Sequence, residues 1–286
     1  MKILGSVIAR MVSRFIVFFF VFFTCGLQAA DETLKPIKVQ LKWHHQFQFA
    51  GYYAAIEKGF YRQAGLDVTL LEAKPGTDPI SVVLNQQADF GVGTSELVLA
   101  FHKGAPITIL GVIMQHSPLN LMALAESGIS HIHNVVGKRM MIEPNSAELF
   151  AYLKSEGIEQ QALSLERHSH DINDLIYKHV DVMSVYSTDE PYVLAEQNVD
   201  YQLFSPRMSG IDFYGDNFFT LQSLVKKEPK LVRDFYQATI NGWKYAMSHQ
   251  EEIVQLIYKK YSQAKSIEHL RFEAQSMEEL MMPKLI

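Results

Sequence analysis

The chain has 286 residues, 48% of them hydrophobic and 20% charged, with a formal net charge of −5. That composition excludes a disordered or low-complexity chain, and it offers no basic excess for nucleic acid. Cys25 is the single cysteine, which excludes a disulfide framework and a thiolate metal site.

Met1 to Ala30 stand apart. Lys2, Arg10 and Arg14 precede the apolar run Phe15 to Phe23, and Gly26-Leu-Gln-Ala-Ala30 follows it. This is the order of a cleavable signal peptide over residues 1–30, and its apolar core is short for a membrane span. An uncleaved anchor is the alternative. Cys25 invites a lipid anchor, but Phe22-Phe23-Thr24 before it is a poor signal for one. Taking the leader's three positive charges from the 26 Lys and Arg leaves 23 against 31 acidic residues, a balance of −8 from Asp31 onward. The expectation is a periplasmic monomer with no nucleic-acid or anionic-membrane partner.

The first strand is predicted at Ile37 to Trp43, where apolar and polar residues alternate, and the first helix at Tyr53 to Gly59. Leu66 to Leu71 reads as a second strand, Pro75-Gly-Thr-Asp-Pro79 as a turn, Ile80 to Gln87 as a helix and Asp89 to Gly93 as a third strand. Thr94-Ser95-Glu96 opens a helix to His102, with a hydroxyl at its cap. Ile107 to Met114 is a continuous apolar run, expected to be a strand covered on both faces. Leu119 to Ala125 reads as a crossover. The pattern then restarts: strands at Lys138 to Ile142, Leu163 to Glu166, Val180 to Val185 and Tyr201 to Phe204, with helices at Ser146 to Ser155, Ile172 to His179 and from Asp189-Glu190-Pro191. Gly210 to Asp216 reads as a return, and helices are expected at Pro229 to Met247, Glu251 to Tyr261 and Ser266 to Met282. Met282 to Ile286 carries no cap or polar tail and reads as a truncated end.

Alternating strands and helices predict an α/β fold of parallel sheets covered by helices. About 255 residues suffice for two lobes with a hinge and a cleft. One lobe takes residues 31–118 and 217–286, and the other 119–216 with the crossover segments.

Trp43-His-His-Gln-Phe-Gln-Phe-Ala-Gly-Tyr-Tyr-Ala-Ala55 lies where the first strand gives way to a helix. Ligands of open α/β sheets bind beyond the carboxyl ends of strands, so these rings are placed as one wall of a binding site, with a core plug as the alternative. The His and Gln between them would lack partners in a dry core.

Leu41 to Ala55, Lys58 to Asp67, Asp89-Phe-Gly-Val-Gly93, Gln115-His-Ser-Pro118, Thr188-Asp-Glu-Pro191 and Gly210 to Asn217 together resemble the thiamine pyrimidine precursor family. It includes periplasmic binding proteins for formyl-aminopyrimidine, fungal thiamine pyrimidine synthase and input domains of membrane sensors. The resemblance runs from Ile37 to Ile286. It implies a type 2 periplasmic-binding-protein fold, a pyrimidine-like ligand, and an ABC permease or membrane sensor domain as partner. It also implies that the family usually continues beyond Ile286. The synthase branch resembles an enzyme that uses pyridoxal phosphate, iron and one of its own histidines. Here Gly93 and Leu97 stand where its lysine and histidine would be, and no cysteine-rich motif is present. Without the amine and the imidazole that chemistry is disfavoured, and no catalytic residue, cofactor or metal is assigned.

A flat aminopyrimidine needs stacking faces and a few fixed polar groups. Trp43 and Tyr186 are the candidate faces, with Tyr52 and Tyr214 in reserve. Glu190 is the candidate acceptor for the exocyclic amine, or else only a helix N-terminal acid; the family resemblance favours ligand contact. His44 and His45 are candidate donors, or one faces a core carbonyl. Thr94 and Ser95 are candidate hydroxyl contacts or an ordinary cap. His116 and Ser117 end a strand and face the cleft in this reading. Asp212 and Asp216 bind ligand or tie the hinge. His131/His133 and His168/His170 read as surface pairs, without zinc spacing. No Ser-His-Asp order, phosphate loop or dinucleotide fingerprint is present. The competing functions are a solute-binding protein or sensor input domain, the pyrimidine-forming enzyme, and a sensor fragment that binds no solute. Related folds bind sulfonates and small amines in similar clefts.

Overall fold

The computed structural model describes residues 33–74 and 76–281. The leader, Pro75 of the predicted turn and the last five residues lie outside them. Residues from Lys35 onward form one compact unit.

The unit contains two five-stranded sheets. The strands are β1 (Lys35–Gln40), β2 (Leu66–Leu71), β3 (Phe90–Gly93), β4 (Ile107–Met114), β5 (Leu119–Leu124), β6 (Arg139–Met141), β7 (Ser164–Glu166), β8 (Val182–Tyr186), β9 (Tyr201–Phe204) and β10 (Gly215–Leu221). The first sheet has the order β2-β1-β3-β10-β4 and the second β7-β6-β8-β5-β9. In each, four strands point the same way and the fourth in order, β10 or β5, runs antiparallel to both its neighbours. The sheets are therefore mixed and not purely parallel. Each antiparallel strand begins directly after the chain has crossed from the other sheet.

The crossings explain two departures from the sequence reading. Leu119 to Leu124 is not a bare crossover: all six residues are buried in a central strand. Conversely, β4 closes the edge of its sheet, so its apolar run is only partly covered and Ile109 is 38% exposed. Strand β10 was not predicted, although Asn217 to Thr220 are buried in it.

Helices cover the sheets: α1 (Ala50–Glu57), α2 (Phe60–Gln63), α3 (Pro79–Leu84), α4 (Glu96–His102), α5 (Ala147–Ser155), α6 (Asn173–Ile176), α7 (Glu190–Glu196), α8 (Gln222–Lys227), α9 (Pro229–Ser248), α10 (Gln250–Lys260) and α11 (Ile267–Met281). Their ends follow local chemistry. Asp78 caps α3 by accepting from the Ile80 and Ser81 amides, and Pro79 sits at a first-turn position where its missing donor is harmless. The three long C-terminal helices lie close to their predicted positions and pack on the first sheet. There Ile37, Val39, Phe90, Val92, Phe218 and Phe235 share one core with Ile253, Ile257, Leu270 and Met277. The second sheet is buried on both faces, by Leu121, Met140, Leu149 and Val182 on one side and Met122, Met183, Leu175 and Leu194 on the other. Among the described residues no helix is long and apolar enough to cross a membrane.

Candidate ligand cleft

The carboxyl ends of β1, β2 and β3 from one sheet and of β6, β7 and β8 from the other converge on a cavity of about 360 Å³. This is the position that the strand-end rule assigns to ligands, and the volume suits a small molecule. The first sheet contributes Lys42, Trp43, Gln46, Gln48, Gly93, Thr94, Glu96 and the 76–80 loop; the second contributes Glu143, Asn145, His168, His170, Tyr186, Asp189 and Glu190.

The Trp43 to Ala55 stretch divides. Trp43 lines the cavity, half-buried, and its ring lies 4.9 Å from His170 of the second sheet. Phe47, Phe49, Tyr52 and Tyr53 are fully buried in the first core. The indole is therefore wall, while the other rings plug the core, because a 3-10 turn at Phe47–Phe49 and α1 carry them into the core shared with β1.

Of the residues proposed from sequence, Trp43, Thr94, Tyr186 and Glu190 line the cavity. Seven do not. His44 is exposed and pairs with Glu72 at 3.4 Å. His45 holds the Tyr53 hydroxyl at 2.8 Å, with burial lowering its pKa. Tyr52 is buried edge-on against Trp243. Ser95 donates to Glu148 Oε2 at 2.8 Å, bridging the two lobes behind the cavity. His116 pairs with Asp212 at 2.9 Å beside the crossing chains. Tyr214 is 55% exposed. The α4 cap oxygen is that of Thr94, which accepts from the Glu96 amide at 3.3 Å.

The polar wall is built around Lys42, whose side chain is 11% exposed. Burial opposes its charge, but Asp216 at 2.9 Å, then Tyr186 and Glu143, outweigh it and hold the ammonium above its ordinary range. Its Nζ bonds the Tyr186 hydroxyl and lies 4.3 Å from that ring's centroid, so Lys42 covers part of the proposed stacking face. Asp216 itself sits at φ 45°, a left-handed backbone that only a well-held residue sustains. Asn145 (φ 63°) and His170 (φ 61°), also in the wall, share that strain.

Glu190 opens α7 and accepts from the Tyr186 amide at 2.8 Å. Burial, reinforced by the Asp189 charge, pushes its pKa up to about 8. Glu143 is pushed up to about 7 by burial; Lys42 opposes the shift and Glu148 and Asp216 add to it. His168 donates to the Ser184 carbonyl and accepts from the His170 amide, and burial drives it down to about 4, so it is neutral. The sequence reading placed His168 and His170 on the surface and passed over Lys42 and Glu143. The strand-end rule would have found them, since Glu143 and His168 each stand two residues beyond a strand, β6 and β7.

Asp189, His269 and Glu273 bring potential metal-ligand atoms within 4.8 Å of one another. Lys265 already fills that position: its ammonium bonds Asp189 and lies 2.7 Å from Glu273, while His269 holds Asp189 at 2.8 Å. The group joins α7 of one lobe to α11 of the other.

The NMT1/THI5-like family model matches residues 46–253. The chain belongs to the NMT1/THI5-like family. It is similar to a 4-amino-5-hydroxymethyl-2-methylpyrimidine phosphate synthase of Legionella pneumophila, 25% identical over 228 residues, 77% of this chain and 72% of that one. It is 23% identical to a formylaminopyrimidine-binding protein of Halalkalibacterium halodurans over 82% of this chain and 73% of the relative. Riboflavin-binding protein RibY of Chloroflexus aurantiacus is also 23% identical, over 79% of this chain and 67% of its own. The fold matches the periplasmic aliphatic sulphonate binding protein SsuA of Escherichia coli, with a TM-score of 0.65 at 12% identity over 85% of this chain and 79% of that one. The architecture is thus the two-lobed fold of periplasmic binding proteins, and family and fold together support a solute-binding role.

Proposed function

We propose that this NMT1/THI5-like protein is an exported solute-binding protein that closes its lobes on a pyrimidine-like thiamine precursor, in the periplasm, for an ABC permease or a membrane sensor domain. One observation carries the reading. A cavity of about 360 Å³ is lined by Trp43 of one lobe and by Glu190 of the other. A flat ring fits between such walls, with its exocyclic amine on the carboxyl. Ligand contacts to both lobes favour the closed form, whose joined surface a permease or sensor reads.

Calorimetric titration with formylaminopyrimidine and its hydroxymethyl analogue tests this. Trp43→Ala and Glu190→Ala are each expected to weaken binding at least tenfold, roughly 1.4 kcal/mol. Unchanged affinity in both variants would remove the assignment.

The synthase relative supports a second reading. Gly93 lines the cavity without an amine, Leu97 is fully buried in the core, and the lining lysines are the ion-paired Lys42 and the exposed Lys74. A covalent pyridoxal phosphate adduct, or a mass loss at a histidine after incubation with pyridoxal phosphate and iron, would favour the enzyme.

A further inference from the structure

The hydrogen-bond chain behind the cavity has a fixed direction. A carboxylate only accepts. Asp216 therefore takes the Gln48 amide nitrogen, at 2.9 and 3.1 Å from its two oxygens. Gln48 Oε1 in turn accepts from Gln46 Nε2 at 2.7 Å. Both amides are oriented by that sequence, and the free end of the chain is Gln46 Oε1. This atom is buried without a hydrogen-bond partner on a residue that lines the cavity. A buried acceptor in that state is costly unless something donates to it.

The opposite wall repeats the pattern. Glu143 is anchored through its backbone N–H, which donates to Ser184 Oγ at 2.9 Å, and its carboxyl takes no hydrogen bond from any described residue. Glu190 commits one oxygen to the Tyr186 amide. The buried cation of the wall, Lys42, is already bound by Asp216 and Tyr186, and Lys74 is exposed to solvent. The cavity thus offers acceptors and negative charge from both lobes.

We propose that Gln46 and Glu143 form a second polar subsite for a ligand that carries a primary ammonium group beside the ring held at Trp43 and Glu190. The inference rests on the proposed ring-binding function and names its ligand class more narrowly. Glu143 and Glu190 follow β6 and β8, which are adjacent and parallel, with Met141 paired to Met183. A phosphate or sulfonate on the ligand would meet carboxyls here and is disfavoured.

The charged groups that act on Glu143 are Lys42, Glu148 and Asp216, and Glu190 and the neutral His168 line the same cavity. Burial holds the Glu143 carboxyl near pH 7, so part of the population is protonated at neutrality. An incoming ammonium displaces that proton to solvent. Affinity for the ammonium ligand therefore falls on acidification below about pH 7.

The experiment compares four probes by calorimetry: the aminopyrimidine with an aminomethyl group, with a hydroxymethyl group, with the phosphate ester of the latter, and benzylamine as an ammonium without the pyrimidine. The wild type is expected to prefer aminomethyl over hydroxymethyl at least tenfold and to release protons on binding the former near pH 7. Glu143→Gln should reduce that preference below threefold, Glu143→Asp should keep it, and the phosphate ester should not bind. Equal affinity for the two in the wild type overturns the subsite and leaves the ring-binding function standing. So does an unchanged preference in Glu143→Gln, or binding of the phosphate ester as tight as that of the aminomethyl probe. If no pyrimidine binds but benzylamine does, with loss in Glu143→Gln, the subsite stands and the pyrimidine reading falls. Binding of neither ammonium probe overturns both.

Discussion

At residue scale, the decisive contrast lies within ten positions. Trp43 is half-buried at the cavity, whereas Tyr52 and Tyr53 are sealed in the core. Type and spacing make both kinds of ring look alike, because an aromatic serves a wall and a core equally well. Only the turn after β1 separates them. Glu190 was legible from its place at a helix start after a strand. Glu143 stands two residues beyond β6, where the strand-end rule points, but it is easily passed over because a lone acid in a loop normally faces water. Its environment gives a prediction of sign. A carboxyl raised to about 7 in the folded state, from 4.5, adds no cost below pH 4.5 and destabilises the fold progressively as pH rises through 7. Thermal melts of Glu143→Gln should match the wild type near pH 5 and exceed it at pH 8 by on the order of 1–3 kcal/mol. A difference that does not change with pH would contradict the buried, charge-crowded position given to this group.

At element scale, the α1–α9 contact sets how the C-terminal helices seat on the first sheet. A Cβ at Gly242 would stand 2.1 Å from the Gly51 carbonyl oxygen, and one at Gly51 would stand 2.2 Å from the Trp243 ring. The helices meet backbone to backbone, so neither glycine has room to yield. Gly242→Ala should cost about 3 kcal/mol and lower the melting temperature by roughly 6–12 °C. Gly59→Ala, strained by φ 75° but with nothing within 4 Å, should cost less. The reverse order would show that the helices separate easily. Helix positions were legible here from amphipathic spacing. Strand β10 was not, because Gly215 to Leu221 shows no period of two: polar Asp216 and Asn217 stand side by side, then Phe218 and Phe219, and all of them are buried. Its partners β3 and β4 lie about a hundred residues earlier, and that pairing is a property of the whole chain.

At the scale of the whole molecule, the lobes are held together at several points around the cavity. Lys42 reaches Tyr186, Trp43 meets His170, Ser95 and Ser117 both donate to Glu148, and Lys265 with His269 holds Asp189. Tyr192 of α7 stacks on His269 of α11 at 4.4 Å. Most of these contacts adjoin the cavity, so a ligand there acts on the same interface that sets closure. That the chain builds two sheets was readable because strand and helix alternate and then restart. The pairing of residues across the cleft was not, because each partner lies in a different lobe and no local pattern links them.

The most direct test uses the chain's two tryptophans. Trp243 is buried in the first core and Trp43 lines the cavity. Titration with formylaminopyrimidine should change the tryptophan emission saturably in the wild type and in Trp243→Phe, and the change should vanish in Trp43→Phe. Saturable binding by calorimetry with no change in Trp43 emission would place the ligand elsewhere and contradict the account.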